Sequence, residues 1–476
     1  MREEKREERD MAIVGAFAMP HPPLIIPAVG RGKERGIQAT VDACEEVGRR
    51  IAALAPQTVI VSSPHATSYG DYFHISPGRG ARGSFAQYGA PQAAYRAVYD
   101  VELVEAACAL CDERGIEAGT DYERDARLDH GTMIALHFIQ RHYQDFQIVR
   151  MGLSGFSPVE HYKLGLAFRD AAQALGRRVV WLASGDLSHK LLEEGPYGFV
   201  PEGPKFDERI TGDFARGDLV DVLAMDPSLS ERAAECGLRS FQLMVGSLHC
   251  TAVRSELLSY EGPFGVGYGV AAFEPASEEG ADKTCDRVSA YLRLRGDDLA
   301  ARKAAEDPYV RLARASLETY VREHRTMDVP LGLPAELTGA RAGCFVSLKV
   351  DGRLRGCIGT IAPTRPSLAA EICANAISAG TRDPRFRPVR EDELDDLVYD
   401  VDVLTEPQKI ESPGQLDPAR YGVIVSTRDG RRGLLLPDLD GVDSVGEQLR
   451  IAAQKGHIDL DFDDYELERF EVVRHL

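Results

Sequence analysis

The sequence has few of the features that mark a nucleic-acid-binding or membrane protein. Its 476 residues include 56 Lys and Arg against 75 Asp and Glu, a net charge of −19. Proteins that bind nucleic acid nonspecifically displace counterions with clustered cations, and an acidic chain is poorly suited to that. No apolar run approaches the roughly 20 residues that a membrane-spanning helix needs. We therefore predict no nucleic-acid partner and no membrane partner.

The cysteines do not form the pattern of a disulfide framework. There are nine, an odd number, and only Cys108 and Cys111 lie close together, in a predicted helix. The first ten residues, MREEKREERD, lack the apolar core of a signal peptide. We therefore expect a reduced, cytoplasmic protein.

The sequence changes character along its length. Over residues 11–275, buried-strand patterns such as AIVGAFAM, QTVIVSS and RRVVWLAS alternate with helical stretches such as EHYKLGLAFRDAAQALG. Consecutive apolar positions predict strands that are buried on both faces. This pattern predicts an α/β domain in which helices cover the sheet.

A polar segment, residues 276–305, is the predicted linker, and its later part is predicted to continue into a helix. Beyond it, over residues 306–476, Asp351-Gly352 and Asp429-Gly430 each separate two strand-like stretches, which is a strong hairpin signal. Ser367 precedes a helical pattern as a candidate cap. Hairpins together with helices predict an α+β domain.

Histidines follow three of the predicted strands of the first domain. His21, His65 and His189 each come just after a strand, where the loops of an open α/β sheet converge on ligands. His130 follows Asp129, a candidate helix cap, and the positive end of a helix dipole keeps an imidazole neutral. Such a histidine is available as a base at neutral pH. The alternative is a surface histidine at a helix start, and for His130 taken alone that is the interpretation we favour.

A carboxylate and a thiol occur side by side later in the chain, as Glu235 and Cys236. Two imidazoles and one carboxylate form the facial triad that holds Fe(II) in oxygenases. A thiolate in place of the carboxylate favours copper or zinc. We favour Glu235 and keep Cys236 as the alternative ligand, or as a small buried residue.

Five motifs in this order resemble the class III extradiol ring-cleavage dioxygenases of the LigB type, and also the related Memo family: MPHPPLIIP, SSPHATSYGDYFH, LDHGTMIALHF, SGDLSH and ECGLRSFQLMVGSL. The resemblance implies that His21, His65 and Glu235 hold Fe(II), and that His130 and His189 act in acid–base and O₂ steps on a small catechol-like substrate. Zn or Cu is the alternative that the Memo-like cysteine implies. Asp129 and Asp186 are expected either to orient these imidazoles or to cap local structure.

The second domain contains the stretch LRGCIGT, with Arg355 and Cys357 between glycines. An arginine beside a thiol favours thiolate, whereas a small buried residue in a tight place is the alternative. Together with SAGTRDPRFRPV, YDVDVLTEP and RRGLLLP, the stretch resembles the AMMECR family, whose activity is not established. The site candidates are Arg355, Cys357, Asp383, Arg385 and Arg387, or else a solvated salt-bridge cluster.

The order of the two domains resembles the AmmeMemoRadiSam group, in which Memo-type and AMMECR domains occur beside a radical SAM enzyme. The chain has no Cys-x₃-Cys-x₂-Cys motif, so such a partner would be another chain. The motifs and the domain order leave three alternative hypotheses for the function. The first is an Fe(II) dioxygenase acting on a small molecule, the second is a metal-binding redox or modification factor that works with a radical SAM protein, and the third is a scaffold that has lost catalysis. A homo-oligomer is left open.

Overall fold

A computed structural model describes residues 11–276, 286–439, 441–442 and 444–476. The chain divides into two compact units, with the boundary between Arg295 and Gly296. Residues 277–285 of the predicted linker lie outside the described residues, whereas residues 287–305 are helical. In the part of the chain that is described, no helix is long and apolar enough to cross a membrane.

Strands of the N-terminal unit are β1 (Ile13–Met19), β2 (Thr58–Ser62), β3 (Phe73–His74), β4 (Gly80–Phe85), β5 (Ala90–Val98), β6 (Ala118–Gly119), β7 (Gln147–Met151), β8 (Val179–Ser184), β9 (Val253–Glu261) and β10 (Tyr268–Pro275). Six of them form the main sheet in the order β7-β2-β8-β1-β10-β9. The strands β7, β2, β8 and β1 run parallel to one another. Strand β10 is antiparallel to β1, and β9 is antiparallel to β10. The main sheet therefore presents the carboxyl ends of four parallel strands at one edge.

Helices of this unit are α1 (Pro27–Gly30), α2 (Gln38–Leu54), α3 (Val101–Arg114), α4 (His130–Gln140), α5 (Pro158–Ala174), α6 (Glu202–Arg216), α7 (Leu219–Leu223), α8 (Pro227–Ala233) and α9 (Leu238–Ser247). They pack on both faces of the sheet. Ile60 belongs to the core on one face, while its neighbours Val59 and Val61 belong to the core on the other. Because successive strand residues point to opposite faces, both must be apolar here, and the predicted doubly covered α/β sheet is confirmed.

The C-terminal unit has two four-stranded antiparallel sheets, in the orders β12-β11-β13-β18 and β14-β17-β15-β16. The strands are β11 (Cys344–Val350), β12 (Arg353–Gly359), β13 (Val398–Leu404), β14 (Gln408–Ile410), β15 (Gly422–Thr427), β16 (Arg432–Leu435), β17 (Tyr465–Phe470) and β18 (Val472–His475). The helices are α10 (Arg287–Ala305), which begins in the first unit, α11 (Pro308–Glu323), α12 (Ala335–Gly339), α13 (Leu368–Thr381) and α14 (Val445–Lys455).

Local signals in the sequence explain these elements. Asp351 and Gly352 both have positive φ, 49° and 72°, as the two-residue hairpin turn between β11 and β12 requires. Gly430 has φ 94° in the turn between β15 and β16. The Ser367 hydroxyl accepts a hydrogen bond from Ala370 N at 3.3 Å and caps α13. The predicted α+β class of this unit is confirmed.

Candidate metal centre

Two histidines and one cysteine converge beside the carboxyl ends of β1, β2 and β8. The Nε2 atoms of His21 and His65 are 3.0 Å apart, and Cys236 Sγ lies 3.6 Å from His21 Nε2. One ligand atom from each of the three residues lies within 4.8 Å of the other two. Around a tetrahedral zinc, two nitrogens are separated by about 3.3 Å, and a nitrogen and a sulfur by about 3.6 Å. The donor set therefore fits a single transition-metal ion.

The local backbone holds the His21 imidazole in place. Its Nδ1 lies 2.9 Å from Ser184 Oγ at the end of β8, which leaves Nε2 facing His65 and Cys236. Its backbone N–H donates to Asp186 Oδ1 at 2.7 Å. Pro20 and Pro22 flank it and fix the backbone torsions on either side. A hydrogen bond on one ring nitrogen that presents the other is the usual arrangement of a metal-binding imidazole.

The protonation states suit metal binding. Burial lowers the pKa of His21 well below its usual value, and the neighbouring His65 lowers it further. Burial also lowers the pKa of His65. Because only a neutral imidazole donates an electron pair to a metal, both side chains are in the required form at neutral pH.

Glu235 and Cys236 are placed differently, although they are adjacent in sequence. Glu235 Oε2 accepts a hydrogen bond from Leu238 N at 2.6 Å in the first turn of α9, and burial raises its pKa to about 7. Glu235 is not part of the three-residue group; Cys236 is. The preference for Glu235 as third ligand therefore does not match the geometry. The sequence could not show which of two neighbouring side chains faces the histidines.

A close contact between glycines brings this segment to the sheet edge. A Cβ atom on Gly185, just after β8, would lie only 2.1 Å from Gly237 Cα. Cys236 Sγ accepts a hydrogen bond from Asp186 N at 3.3 Å. Gly185 in SGD and Gly237 in ECG were the features of the sequence from which this contact could have been predicted, because only glycine permits such close backbone contact.

His130 begins α4, the helix start that the sequence predicted, and its ring lies beside the histidine pair. Its ring centroid is 3.9 Å from that of His65 and 5.4 Å from that of His21. Burial lowers its pKa to about 3, and the adjacent histidines add to this effect. Tyr88 Oη, which the sequence did not single out, lies 3.5 Å from His130 Nδ1.

Asp129 caps α4 and does not bond to an imidazole. Its Oδ1 accepts from Thr132 N at 3.0 Å and from Ser63 Oγ at 2.7 Å, and its Oδ2 accepts from Arg150 Nε at 3.1 Å. The Ser63 hydroxyl in turn accepts from His65 N at 3.2 Å. The aspartate therefore supports the loop that carries His65, a role the sequence left open between orienting and capping.

His189 lies on the loop after β8, but it does not join the three-residue group. Its ring stacks on Tyr197, with centroids 5.2 Å apart and planes inclined by 22°. Burial lowers its pKa, while the nearby Asp186 carboxylate opposes that shift. Burial raises the pKa of Asp186 itself to about 6. Tyr197 is 60% exposed, so an aromatic ring is available at this side of the centre.

Three of the five candidates in the C-terminal unit, Cys357, Asp383 and Arg385, make a hydrogen-bonded cluster around β12. Asp383 Oδ2 accepts from Cys357 N at 2.9 Å, and Asp383 also pairs with Arg385 at 2.7 Å. Ser347 Oγ donates to Cys357 Sγ at 3.2 Å. Arg355 instead forms a two-point ion pair with Glu393, at 2.9 and 3.1 Å.

The remaining candidate, Arg387, takes part only through its carbonyl, which accepts from Arg355 Nη1 at 3.0 Å. Gly356 is explained by packing, since a Cβ there would lie 2.3 Å from Ala379 O in α13. Burial raises the pKa of the Cys357 thiol even though Arg385 opposes it. The arrangement matches the salt-bridge alternative more closely than an activated thiol.

We expect Cys357 to alkylate slowly at neutral pH, because burial raises its pKa and thiolate is the reactive form. Cys108, whose pKa burial raises to about 11, is the matched reference thiol. Iodoacetamide labelling followed by peptide mass spectrometry measures both rates in one sample. Labelling of Cys357 many times faster than that of Cys108 would establish an activated nucleophile instead.

Comparisons with known proteins agree with the two units. The family model "Catalytic LigB subunit of aromatic ring-opening dioxygenase" matches residues 15–271, and the AMMECR1 model matches residues 310–475. Protein CA_C1420 of Clostridium acetobutylicum is 40% identical over 473 residues, which cover 98% of this chain and 99% of that protein. A Thermotoga maritima protein is 53% identical over 171 residues, 36% of this chain and 98% of the relative.

Two solved structures are also similar. The uncharacterized protein PH0010 of Pyrococcus horikoshii is 33% identical, covers 35% of this chain and 88% of its own, and has a TM-score of 0.33. The uncharacterized protein JW3007 of Escherichia coli is 17% identical, with a TM-score of 0.35. The match covers 55% of this chain and 99% of that protein. Since the LigB match spans more than half of the chain, this protein belongs to the LigB family, with an AMMECR1 domain in the same polypeptide.

Proposed function

We propose that the N-terminal unit is a Memo-like metal-binding redox or modification factor whose ion is copper or zinc. The observation that carries this is the position of Cys236 Sγ, 3.6 Å from His21 Nε2, while the Glu235 carboxylate bonds to Leu238 N. A thiolate with two imidazoles favours copper or zinc over Fe(II). The three ligands would be His21 Nε2, His65 Nε2 and Cys236 Sγ.

The surrounding residues provide for substrate chemistry. A bound ion would supply Lewis acidity or, as copper, one-electron chemistry. His130, whose pKa burial lowers to about 3, stays neutral beside His65 and can accept a hydrogen bond from a substrate group placed there. Tyr197 and Tyr88 offer aromatic surface on the sides of His189 and His130. These features suit a small planar substrate or a modified side chain.

The partner of such a factor would be a radical SAM protein encoded as a separate chain. The AmmeMemoRadiSam domain order supports this proposal, as does the lack of a Cys-x₃-Cys-x₂-Cys motif in the sequence. Co-purification of the two proteins, with the His21→Ala variant as a comparison, would measure whether the association depends on the metal centre.

Ring cleavage of a small catechol by an Fe(II) form is the second candidate. It is favoured by the LigB match over residues 15–271 and by the position of the His130 ring beside those of His65 and His21. In that case the third ligand is a carboxylate, and Glu235 would have to leave its bond to Leu238 N.

One experiment separates the two candidates. Protein purified without oxygen is offered Fe(II), Zn(II) and Cu(I) in competition, its metal content is measured, and a catechol panel is added to the iron form while O₂ is monitored. We expect retention of copper or zinc and no O₂ uptake. Stoichiometric Fe(II) with O₂ uptake and a yellow ring-cleavage product would overturn the proposal in favour of the dioxygenase.

A further inference from the structure

The C-terminal unit contains a pocket of about 430 Å³ that none of the functional residues above lines. Thr405 and Glu406, at the end of the stretch YDVDVLTEP and between β13 and β14, form one part of its wall. Tyr421, just before β15, and Arg469, in β17, form another part. We call it the β14–β17 pocket. Its volume is within the range of small-molecule sites in proteins.

Arg469 has an unpaired guanidinium nitrogen at this pocket. Its Nη1 donates to Gln415 O at 2.8 Å, and its guanidinium carbon lies 4.3 Å from the centroid of the Tyr421 ring. Its Nε is enclosed by protein and is out of reach of a ligand. Its Nη2 is not enclosed and has no partner among the described residues, none of which forms an ion pair with Arg469. Nη2 is therefore the guanidinium nitrogen that is left for a ligand.

The two carboxylates of the pocket wall differ in their partners. Glu471 Oε1 accepts a hydrogen bond from Arg420 Nε at 2.7 Å, so these two charges compensate each other. Glu406 is exposed, and its carboxylate has no ion pair and no hydrogen bond among the described residues. The wall contains no further charged side chain. It therefore presents one uncompensated positive charge, on Arg469, and one uncompensated negative charge, on Glu406.

Backbone pairing holds these two charged residues on neighbouring strands. Gln408 of β14 lies opposite Arg469 of β17. Thr405 N donates to Glu471 O at 2.9 Å, and Glu471 N donates to Thr405 Oγ1 at 2.9 Å. Glu406 follows directly after this fixed point, yet its carboxylate does not pair with the Arg469 guanidinium. A molecule that carries both a negative and a positive group can bridge the two.

We propose that the β14–β17 pocket binds a small zwitterion whose carboxylate accepts a hydrogen bond from Arg469 Nη2 and whose ammonium group donates to the Glu406 carboxylate. A carboxylate alone would be repelled by Glu406, and an ammonium ion alone would be repelled by Arg469, whereas a zwitterion pairs with both. Free amino acids are the class of molecule with this chemistry. The site is separate from the proposed metal centre and does not depend on the function proposed for it.

Three probes of the same chain length test the proposal on the full-length protein: 4-aminobutyrate, butyrate and butylamine. Titration calorimetry should show the zwitterion binding at least about tenfold more tightly than either singly charged probe, because only the zwitterion makes both charged hydrogen bonds. Glycine and β-alanine, each with its own carboxylate and amine analogues, cover shorter separations of the two charges. The proposal requires this preference in at least one of the three series, and its absence from all three at concentrations up to about 10 mM overturns it.

Two substitutions should act differently on the carboxylate probe. Glu406→Gln should weaken the zwitterion about tenfold without weakening butyrate, because the lost charge attracts only the ammonium group. Arg469→Gln should weaken both the zwitterion and butyrate, because both use the guanidinium group. Glu411→Gln and Arg450→Gln remove exposed charges of the same unit that do not line the pocket, and they are the matched controls.

Each pattern of results has one meaning. Because Glu406 is exposed, Glu406→Gln keeps the fold and tests the site even if Arg469→Gln destabilises the sheet. Zwitterion binding that is unchanged in Glu406→Gln contradicts the proposed site, and an equal loss in either control variant indicates general charge attraction, which also contradicts it. His21→Ala should not change the affinity, and a loss there would place the zwitterion at the metal centre of the N-terminal unit instead.

Discussion

Replacing Cys236 with serine is expected to lower the affinity for copper or zinc by more than about 100-fold. Loss of a residue that only hydrogen-bonds to a metal ligand already lowers metal affinity about 10–100-fold, and loss of the ligand itself should lower it further. The expectation rests on the position of Cys236 Sγ, 3.6 Å from His21 Nε2, within the only group of the described residues that combines two imidazoles with a thiol. Chelator competition measures the affinity, and a sulfur-to-metal absorption band in the copper or cobalt form reports the thiolate directly.

Glu235→Gln is the matched control. The amide oxygen of glutamine still accepts a hydrogen bond from Leu238 N, so α9 keeps its first turn and the metal should remain. His142→Ala should also retain metal, because His142 is paired with Glu45 and is not part of the group. If Glu235→Gln loses the metal while Cys236→Ser retains it, the third ligand is the carboxylate and the Fe(II) dioxygenase becomes the better hypothesis.

Asp129→Ala is expected to lower the free energy of unfolding of the N-terminal unit by about 3–5 kcal/mol, the usual cost of leaving a buried charge without its partner. The side chains of Arg150 and Asp129 are 1% and 6% exposed and pair at 3.1 Å. The same substitution removes the cap of α4 and the acceptor of Ser63 Oγ. Urea unfolding followed by the fluorescence of Trp181, the single tryptophan, measures the loss, since this residue is fully buried in β8.

Asp125→Ala provides the comparison. Asp125 pairs with Arg127 on the surface, with side chains 48% and 82% exposed, and pairs of this kind contribute about 1 kcal/mol or less. Similar losses of stability in the two variants would mean that Arg150 does not need Asp129, and that Glu123 or other nearby groups compensate its charge.

The sequence was informative where one residue type has one structural consequence. Consecutive apolar residues, Val59–Val61 in β2 and Val179–Ala183 in β8, predicted strands buried on both faces, and Asp351-Gly352 predicted a hairpin turn. His21, His65 and His189 were predicted at one edge of the sheet, and the rings of His21 and His65 lie 4.6 Å apart there. His130, predicted in the first turn of a helix, has its ring within 5.4 Å of both. Strand order and helix capping are enough for that, because the loops after parallel strands meet at the same edge.

The choice between neighbouring side chains depended on tertiary structure. Glu235 and Cys236 are one residue apart, and the close approach of Gly237 to Gly185 determines which of them faces His21. Arg355 and Cys357 are two residues apart, yet the arginine pairs with Glu393, a residue 38 positions further along the chain. No local pattern encodes such a partner.

The sequence by itself determined the two fold classes, the sheet edge at which the histidines meet and the family to which the chain is similar, because apolar periodicity, turn residues and motif order are local properties. Only the tertiary structure decided that the Cys236 thiol lies beside the histidine pair and that Asp129 supports a loop through Ser63. Those features depend on contacts between segments far apart in the chain, where backbone approach and the competition for hydrogen-bond partners fix the direction of each side chain.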